Sequence, residues 1–231
     1  MSIVRFSWLP VGVLWVGRMS VQPAPKTFKP EQAADEAAQI QAAEDEELAR
    51  QLLEDPVGAA KRVHARFASD VNRLVWRLLG SDPDHNDIVQ QVFFKVMMNG
   101  RRLRDPSRLG AWVQSITVNT VYEELRRRDV RRIFARDWYP IEFHHDLVRD
   151  VEARDLLKRA RSVIDKLPAK ERIVFMLHFV EERPLYEVAD LCGYSLATAK
   201  RRLGAANRRF QSLITNNPDL VRLLRQKAEE T

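Results

Sequence analysis

From Lys61 onward the chain sets apolar and polar residues in a helical rhythm. Val63, Phe67, Val71, Leu74 and Leu78 recur at spacings of three and four, which stacks them on one face of a helix. Gly80-Ser81-Asp82-Pro83 interrupts the run; Asp82 suits a helix cap and Pro83 a first turn. A second stripe, Ile88, Val92, Phe93 and Val96, ends near Asn99-Gly100, and Asp105-Pro106 repeats the cap-and-proline start. Leu109, Trp112, Val113, Ile116 and Val121 then line a third helix. Further on, Leu156, Ala160, Val163, Ile164 and Leu167 form another stripe. Pro168 opens a helix with Ile173, Val174 and Leu177 inward, and Pro184 opens a short one through Leu191. Cys192-Gly193-Tyr194-Ser195 predicts a tight turn, with Ser195 capping a last helix to about Leu213. With few glycines and only short β-branched runs, the fold class expected is all-α.

The stripes group into two small helical domains, at 56–132 and 151–214. Residues 133–150 are read as the linker between them, because Trp138, Tyr139, Pro140, Phe143, His144 and His145 follow no period. The two adjacent histidines would point apart on a helix and make no metal pair. Residues 1–55 form an N-terminal extension and 215–231 a C-terminal tail. Within the extension, the apolar stretch Ile3–Gly17 is too short to span a bilayer and is broken by Arg5 and Pro10. It shows no clear cleavage site, so Met19 is expected to be the true start, with 1–18 an upstream over-extension.

Charge is distributed unevenly. The chain carries 38 Lys and Arg against 32 Asp and Glu, a net charge of +6, which favours an anionic partner only where the cations cluster. They do cluster: Arg126, Arg127, Arg128, Arg131, Arg132 and Arg136 oppose Asp129 alone. Residues 31–55 are the reverse, nine acids against Arg50. They read as a solvated helix or, in a sharper alternative, as an internal mimic of nucleic acid lying over a basic surface. The lone Cys192 allows neither an internal disulfide nor a Cys-rich zinc site. It reads as a small buried hydrophobe, in keeping with a reducing cytoplasm.

Leu185–Leu203 has the layout of a helix-turn-helix. Ala189 keeps the helix crossing close, Gly193 permits a left-handed turn, and Ala199 packs the second helix back onto the first. The segment from Lys200 to Arg209 has five basic residues and no acid. Such a helix can enter a major groove, with Arg or Lys donating to guanine edges and others pairing with phosphates.

Two sets of residues together carry a family resemblance. Leu167-Pro168, Arg172-Ile173-Val174-Phe175, Glu187-Val188-Ala189, Gly193, Ser195, Thr198, Lys200 and Arg202 resemble region 4 of bacterial sigma-70 factors. Upstream, Asp87-Ile88-Val89-Gln90-Gln91-Val92-Phe93, with Trp112, Ile116, Asn119 and the arginine run, resembles region 2. The order and spacing resemble the extracytoplasmic-function (ECF) type. The resemblance implies an alternative sigma factor that binds core RNA polymerase at its clamp helices and flap and directs it to promoter DNA, commonly under an anti-sigma partner. It implies that Asp87, Gln90, Gln91 and Phe94 dock on polymerase. It assigns Trp112, Asn119, Tyr122, Arg126, Arg127 and Arg128 to the minus-10 element as it melts, and Ser195, Thr198, Lys200, Arg201, Arg202, Arg208 and Arg209 to the minus-35 duplex. Gln91 for Glu, Glu123 for Asp, Pro184 for a capping Ser and Cys192 for an aliphatic depart from the family pattern.

No P-loop, dinucleotide fingerprint, metal-ligand spacing or nucleophile motif occurs, so no catalytic residue, metal or cofactor is expected. The rival to a sigma factor is a stand-alone helix-turn-helix regulator. A protein-interaction module with basic faces is a third reading.

Overall fold

The structure, a computed structural model, describes residues 30–80, 82–134 and 159–217. Residues 1–18, linker residues 135–150 with the two histidines, and the C-terminal tail beyond 217 lie outside them, while linker residues 133 and 134 close α4. All regular elements among the described residues are helical: α1 (Pro30–Glu54), α2 (Pro56–Leu79), α3 (His85–Asn99), α4 (Leu109–Phe134), α5 (described over 159–164), α6 (Ala169–Phe179), α7 (Leu185–Leu191) and α8 (Leu196–Thr215). Two short 3₁₀ turns, Gly100–Arg102 and Pro106–Arg108, connect α3 to α4.

In the first body, α2, α3 and α4 pack on one another through the stripes read from sequence. Val63, Phe67, Val71, Leu74, Leu78, Ile88, Val92, Val96, Leu109, Val113 and Val121 are all buried. Asp55 caps α2, its carboxylate accepting from the Gly58 N–H at 3.0 Å, with Pro56 at the first position. Asp105 caps the second 3₁₀ turn in the same way, from Ser107 N–H at 3.0 Å. The acidic segment is the helix α1. It seats Leu48, Ala49 and Leu52 in the same core, and the Asp45 carboxylate accepts two hydrogen bonds from Arg66, at 2.8 and 3.1 Å. Glu44 and Glu47 face solvent. The Leu52 carbonyl comes so near Gly100 that a Cβ there would stand 2.9 Å from it, which is why the α3 terminus carries glycine.

Asp82 departs from its expected role. Its Oδ1 does accept the Asp84 N–H at 2.9 Å, but Asp84 occupies the cap position of α3. The Asp82 side chain is fully buried against the Arg128 guanidinium. Burial alone would raise its pKa, and the hydrogen bond and charge of Arg128 overcome that, so the carboxyl is held below its ordinary value.

The two expected helical domains are both present, and they pack on each other across a shared face. The described residues form one apolar cluster running from Leu48 through Leu125 to Leu177 and Leu191. The reason lies in α6, where Ile173, Val174, Phe175, Met176 and Leu177 are all buried. A helix buried on every side must be covered on every side. One side of α6 takes α8, with Phe175 and Phe210 ring centroids 4.8 Å apart; the other packs on α4 and α2. Polar groups close the joint. Arg161 donates to the carbonyls of Arg77 (3.1 Å) and Leu78 (2.8 Å), and Arg172 to that of Leu78 (3.3 Å). Both guanidiniums thus sit at the C-terminal end of α2, where carbonyls lack helical partners and the dipole favours cations. Asp165 pairs with both, at 3.0 and 2.7 Å.

Candidate nucleic-acid interface

The α7–α8 pair has the geometry of a helix-turn-helix. α7 ends in a glycine-terminated motif: Gly193 adopts φ 65° and its N–H donates to the Asp190 carbonyl at 3.1 Å, while Tyr194 N–H reaches back to Ala189 at 2.8 Å. This pattern satisfies the last carbonyls and requires a residue tolerant of the left-handed region. Two residues later the Ser195 hydroxyl accepts the Thr198 N–H at 3.2 Å and starts α8. Ala189 and Ala199 are buried at the crossing, as their small size demands.

On α8, Ser195, Lys200, Arg201 and Arg208 are exposed, and among the described residues the last three form no ion pair. Thr198 is half-buried, its hydroxyl against that of Ser195. Arg202 lies back over the turn, its guanidinium carbon 3.7 Å from the Tyr194 ring centroid. Burial raises the Tyr194 phenol, partly offset by the Arg202 charge. Arg209 is held by Glu171 of α6 at 2.9 Å. The freely presented charge is therefore Lys200, Arg201 and Arg208, a row that can follow a phosphate backbone.

The α4 residues expected to meet melted DNA divide by environment. Asn119 is exposed, its amide 3.5 Å from the Ser115 hydroxyl. Trp112 and Tyr122 are half-buried against the core, and Lys170 lies 5.9 Å from the Tyr122 ring centroid. Arg126 and Arg127 are exposed, with Arg127 3.0 Å from Glu124. Arg128 is different. It hydrogen-bonds Asp82 and Glu124 and pairs with Asp84 at 3.2 Å. Burial would lower its pKa, but these carboxylates outweigh that and raise it. Its charge is spent inside the fold.

Beside this helix opens a cavity of about 280 Å³ that sequence reasoning missed. Arg102, Arg104 and Arg108 line it with Trp112 and Ser115, and Asp190 and Leu191 of α7 form its far wall. Three guanidiniums beside an indole suit a nucleotide, with stacking for a base and charge for a phosphate. The only trace in sequence was the arginine density between Arg101 and Arg108, which no hydrophobic period had marked out.

A separate face lies on α3. Asp87, Gln90, Gln91 and Phe94 are all exposed, one below another at helical spacing. Phe94 is 66% exposed, and Met98, one turn further and not expected, is 69% exposed. Two large apolar side chains thus stand in solvent at i and i+4 on the same face.

Comparison with known proteins agrees with this layout. The family description "Sigma-70 region 2" matches residues 63–131 and "Sigma-70, region 4" matches 157–209. The RNA polymerase sigma factor SigV of Bacillus subtilis is 28% identical over 138 residues, 58% of this chain and 78% of that protein. The ECF sigma factor SigE of Mycolicibacterium smegmatis is 25% identical over 164 residues, 66% of this chain and 60% of that protein. Among solved structures, CnrH in complex with the cytosolic domain of CnrY superposes with a TM-score of 0.50 at 24% identity. It covers 75% of this chain and 98% of that one, a likeness of fold. α1 lies upstream of both family matches.

Proposed function

Because the chain belongs to the sigma-70 family of RNA polymerase sigma factors, of the ECF type, we propose the following division of labour for an alternative sigma factor that directs promoter recognition. The α3 stripe of Asp87, Gln90, Gln91 and Phe94, extended by Met98, docks on the clamp helices of core RNA polymerase. The α4 face with Trp112, Asn119, Tyr122, Arg126 and Arg127 engages the minus-10 strand as it opens. α8 reads the minus-35 duplex through Lys200, Arg201 and Arg208, with Ser195 and Thr198 fixing the helix entry. Arg202 and Arg209 support that helix from Tyr194 and Glu171.

The observation that carries this reading is the coexistence of both family regions, in order, in one chain whose second region exposes a capped, acid-free basic helix. A stand-alone regulator has no use for the apolar stripe on α3. Sigma factors are initiation factors, and the chemistry of RNA synthesis belongs to polymerase, so this chain itself catalyses nothing. Its partners are core polymerase at clamp and flap, promoter DNA, and an anti-sigma factor. No described helix is long and apolar enough to cross a membrane, and the site of action is the cytoplasm, where polymerase is found.

The test is reconstitution. Purified chain added to core polymerase should form a holoenzyme and start RNA synthesis from genomic promoters that core alone ignores. Duplex binding without polymerase binding or initiation would leave the regulator reading in its place.

A further inference from the structure

We propose that Gly204 is a specificity-determining residue of α8: it leaves an apolar notch between Arg201 and Arg208 that takes the C5-methyl group of a thymine in the major groove. The inference rests on the promoter reading above and deepens it, naming what the recognition helix reads at one position.

Nothing in the fold calls for glycine here. Gly204 lies in the middle of α8, and its backbone is not left-handed, unlike those of Gly80 and Gly193. Outside the helix's own backbone, and among the described residues, a Cβ at 204 would meet only the Arg208 Nη1, at 3.6 Å, an ordinary contact. Gly100 is the contrast, where a Cβ would stand 2.9 Å from the Leu52 carbonyl oxygen. A glycine inside a helix loses more conformational entropy on folding than an alanine, and at 204 no closer packing offsets that loss.

The surroundings of Gly204 point outward. Ala199 and Ala206 are buried, and Leu203 and Phe210 pack against the core; these mark the inward face of α8. Arg201, Gly204 and Arg208, spaced by three and four, share the opposite face. Both arginines are exposed and form no ion pair among the described residues. A major groove about 12 Å wide closely fits a helix roughly 10–12 Å across its side chains. With the two arginines anchoring α8 to the duplex on either side, the base edge between them meets helix backbone where any other residue would set a side chain. Backbone N–H and C=O groups in mid-helix are already bonded to one another, so the notch offers only Cα hydrogens. Of the groups that bases present in this groove, the thymine methyl is the apolar one.

The test uses holoenzyme assembled from core polymerase and the full-length chain. It selects duplexes from a random-sequence pool, and the recovered duplex, labelled with fluorescein, is bound again by anisotropy. Gly204→Ala and Gly204→Leu are compared with the unaltered chain. Both variants should unfold at higher urea concentration, since each removes a helical glycine. Gly204→Leu holoenzyme should nevertheless bind the recovered duplex roughly fivefold or more weakly, and Gly204→Ala holoenzyme less weakly than that. Replacing the thymines of the duplex one at a time by uracil deletes the methyl and nothing else. One such replacement should weaken binding by the unaltered holoenzyme and leave binding by Gly204→Leu holoenzyme nearly unchanged. If Gly204→Leu fails to fold by circular dichroism, Gly204→Ala is read in its place. A lowered unfolding midpoint in both variants would show that the fold itself needs the glycine and overturns the assignment. Unchanged affinity in the folded variant, or no thymine that behaves in this way, overturns it too. If the unaltered chain forms no holoenzyme or recovers no duplex, the promoter reading itself falls, and the role of Gly204 with it.

Discussion

Arg128→Ala should cost far more than the loss of one cation from a DNA-binding face. In the folded chain this guanidinium serves three carboxylates: Asp82, whose side chain is wholly buried, Glu124, nearly so, and the more exposed Asp84. Truncation leaves two buried charges without their main partner, and breaking a buried pair in this way costs about 3–5 kcal/mol. Arg127 and Arg131 still reach Glu124, at 3.0 Å each, so the lower half of that range is expected, about 3–4 kcal/mol. For a chain of this size that corresponds to a fall of roughly 6–16 °C in the melting midpoint. The sign with pH follows from Asp82. Its folded pKa is lowered from 3.8, so the stabilisation is complete above 3.8 and is lost as pH falls through the lower folded value. The assay is urea unfolding followed by circular dichroism at neutral pH, with Arg126→Ala as comparator. Arg126 is exposed on the same helix, and its loss should change stability by less than about 0.5 kcal/mol. A deficit below about 1 kcal/mol for Arg128→Ala would refute the buried-network argument and return Arg128 to the set of cations available to DNA.

Further outcomes are expected. Gly193→Ala forces a Cβ into the φ 65° conformation, although nothing lies within 4 Å of it. It should destabilise by about 1–2 kcal/mol through backbone strain alone, and an unchanged unfolding midpoint would contradict this. Lys200→Ala/Arg201→Ala should flatten the logarithmic salt dependence of duplex binding by about 0.9 for each phosphate no longer neutralised; an unaltered slope would place both side chains off the backbone. Phe94→Ala/Met98→Ala should leave the melting midpoint almost unchanged, since both side chains are mostly exposed, yet reduce holoenzyme formation; normal co-elution with core polymerase would remove α3 from that interface. Cys192 should resist thiol reagents until the chain unfolds, because burial pushes its pKa up to about 12; rapid labelling of native protein would contradict its burial.

Much of this protein could be read before any fold was known. The spacing of Val63 to Leu78 and of Ile88 to Val96 determined which faces of α2 and α3 turn inward. Gly193 and Ser195 determined where α7 ends and α8 begins, because one tolerates φ 65° and the other caps from its own side chain. The exposed face of α3 and the exposed cations of α8 were legible for the same reason, since exposure is the complement of a helical stripe. These are local properties, set by neighbours within a turn or two. Which arginine remains available was beyond the sequence. Arg127 and Arg128 are adjacent and chemically identical, yet one is exposed and the other is locked to Asp82, 46 residues away in the chain. The cavity of Arg102, Arg104 and Arg108 likewise exists only where the α3–α4 connection meets Trp112 and α7. The two helical domains were legible as such, but the contact between them was not. Sequence placed Ile173, Val174 and Leu177 inward on α6, but only packing could show that Phe175 and Met176 are buried too and that α4 and α2 cover a second side, since burial on a second face depends on what the rest of the chain brings there.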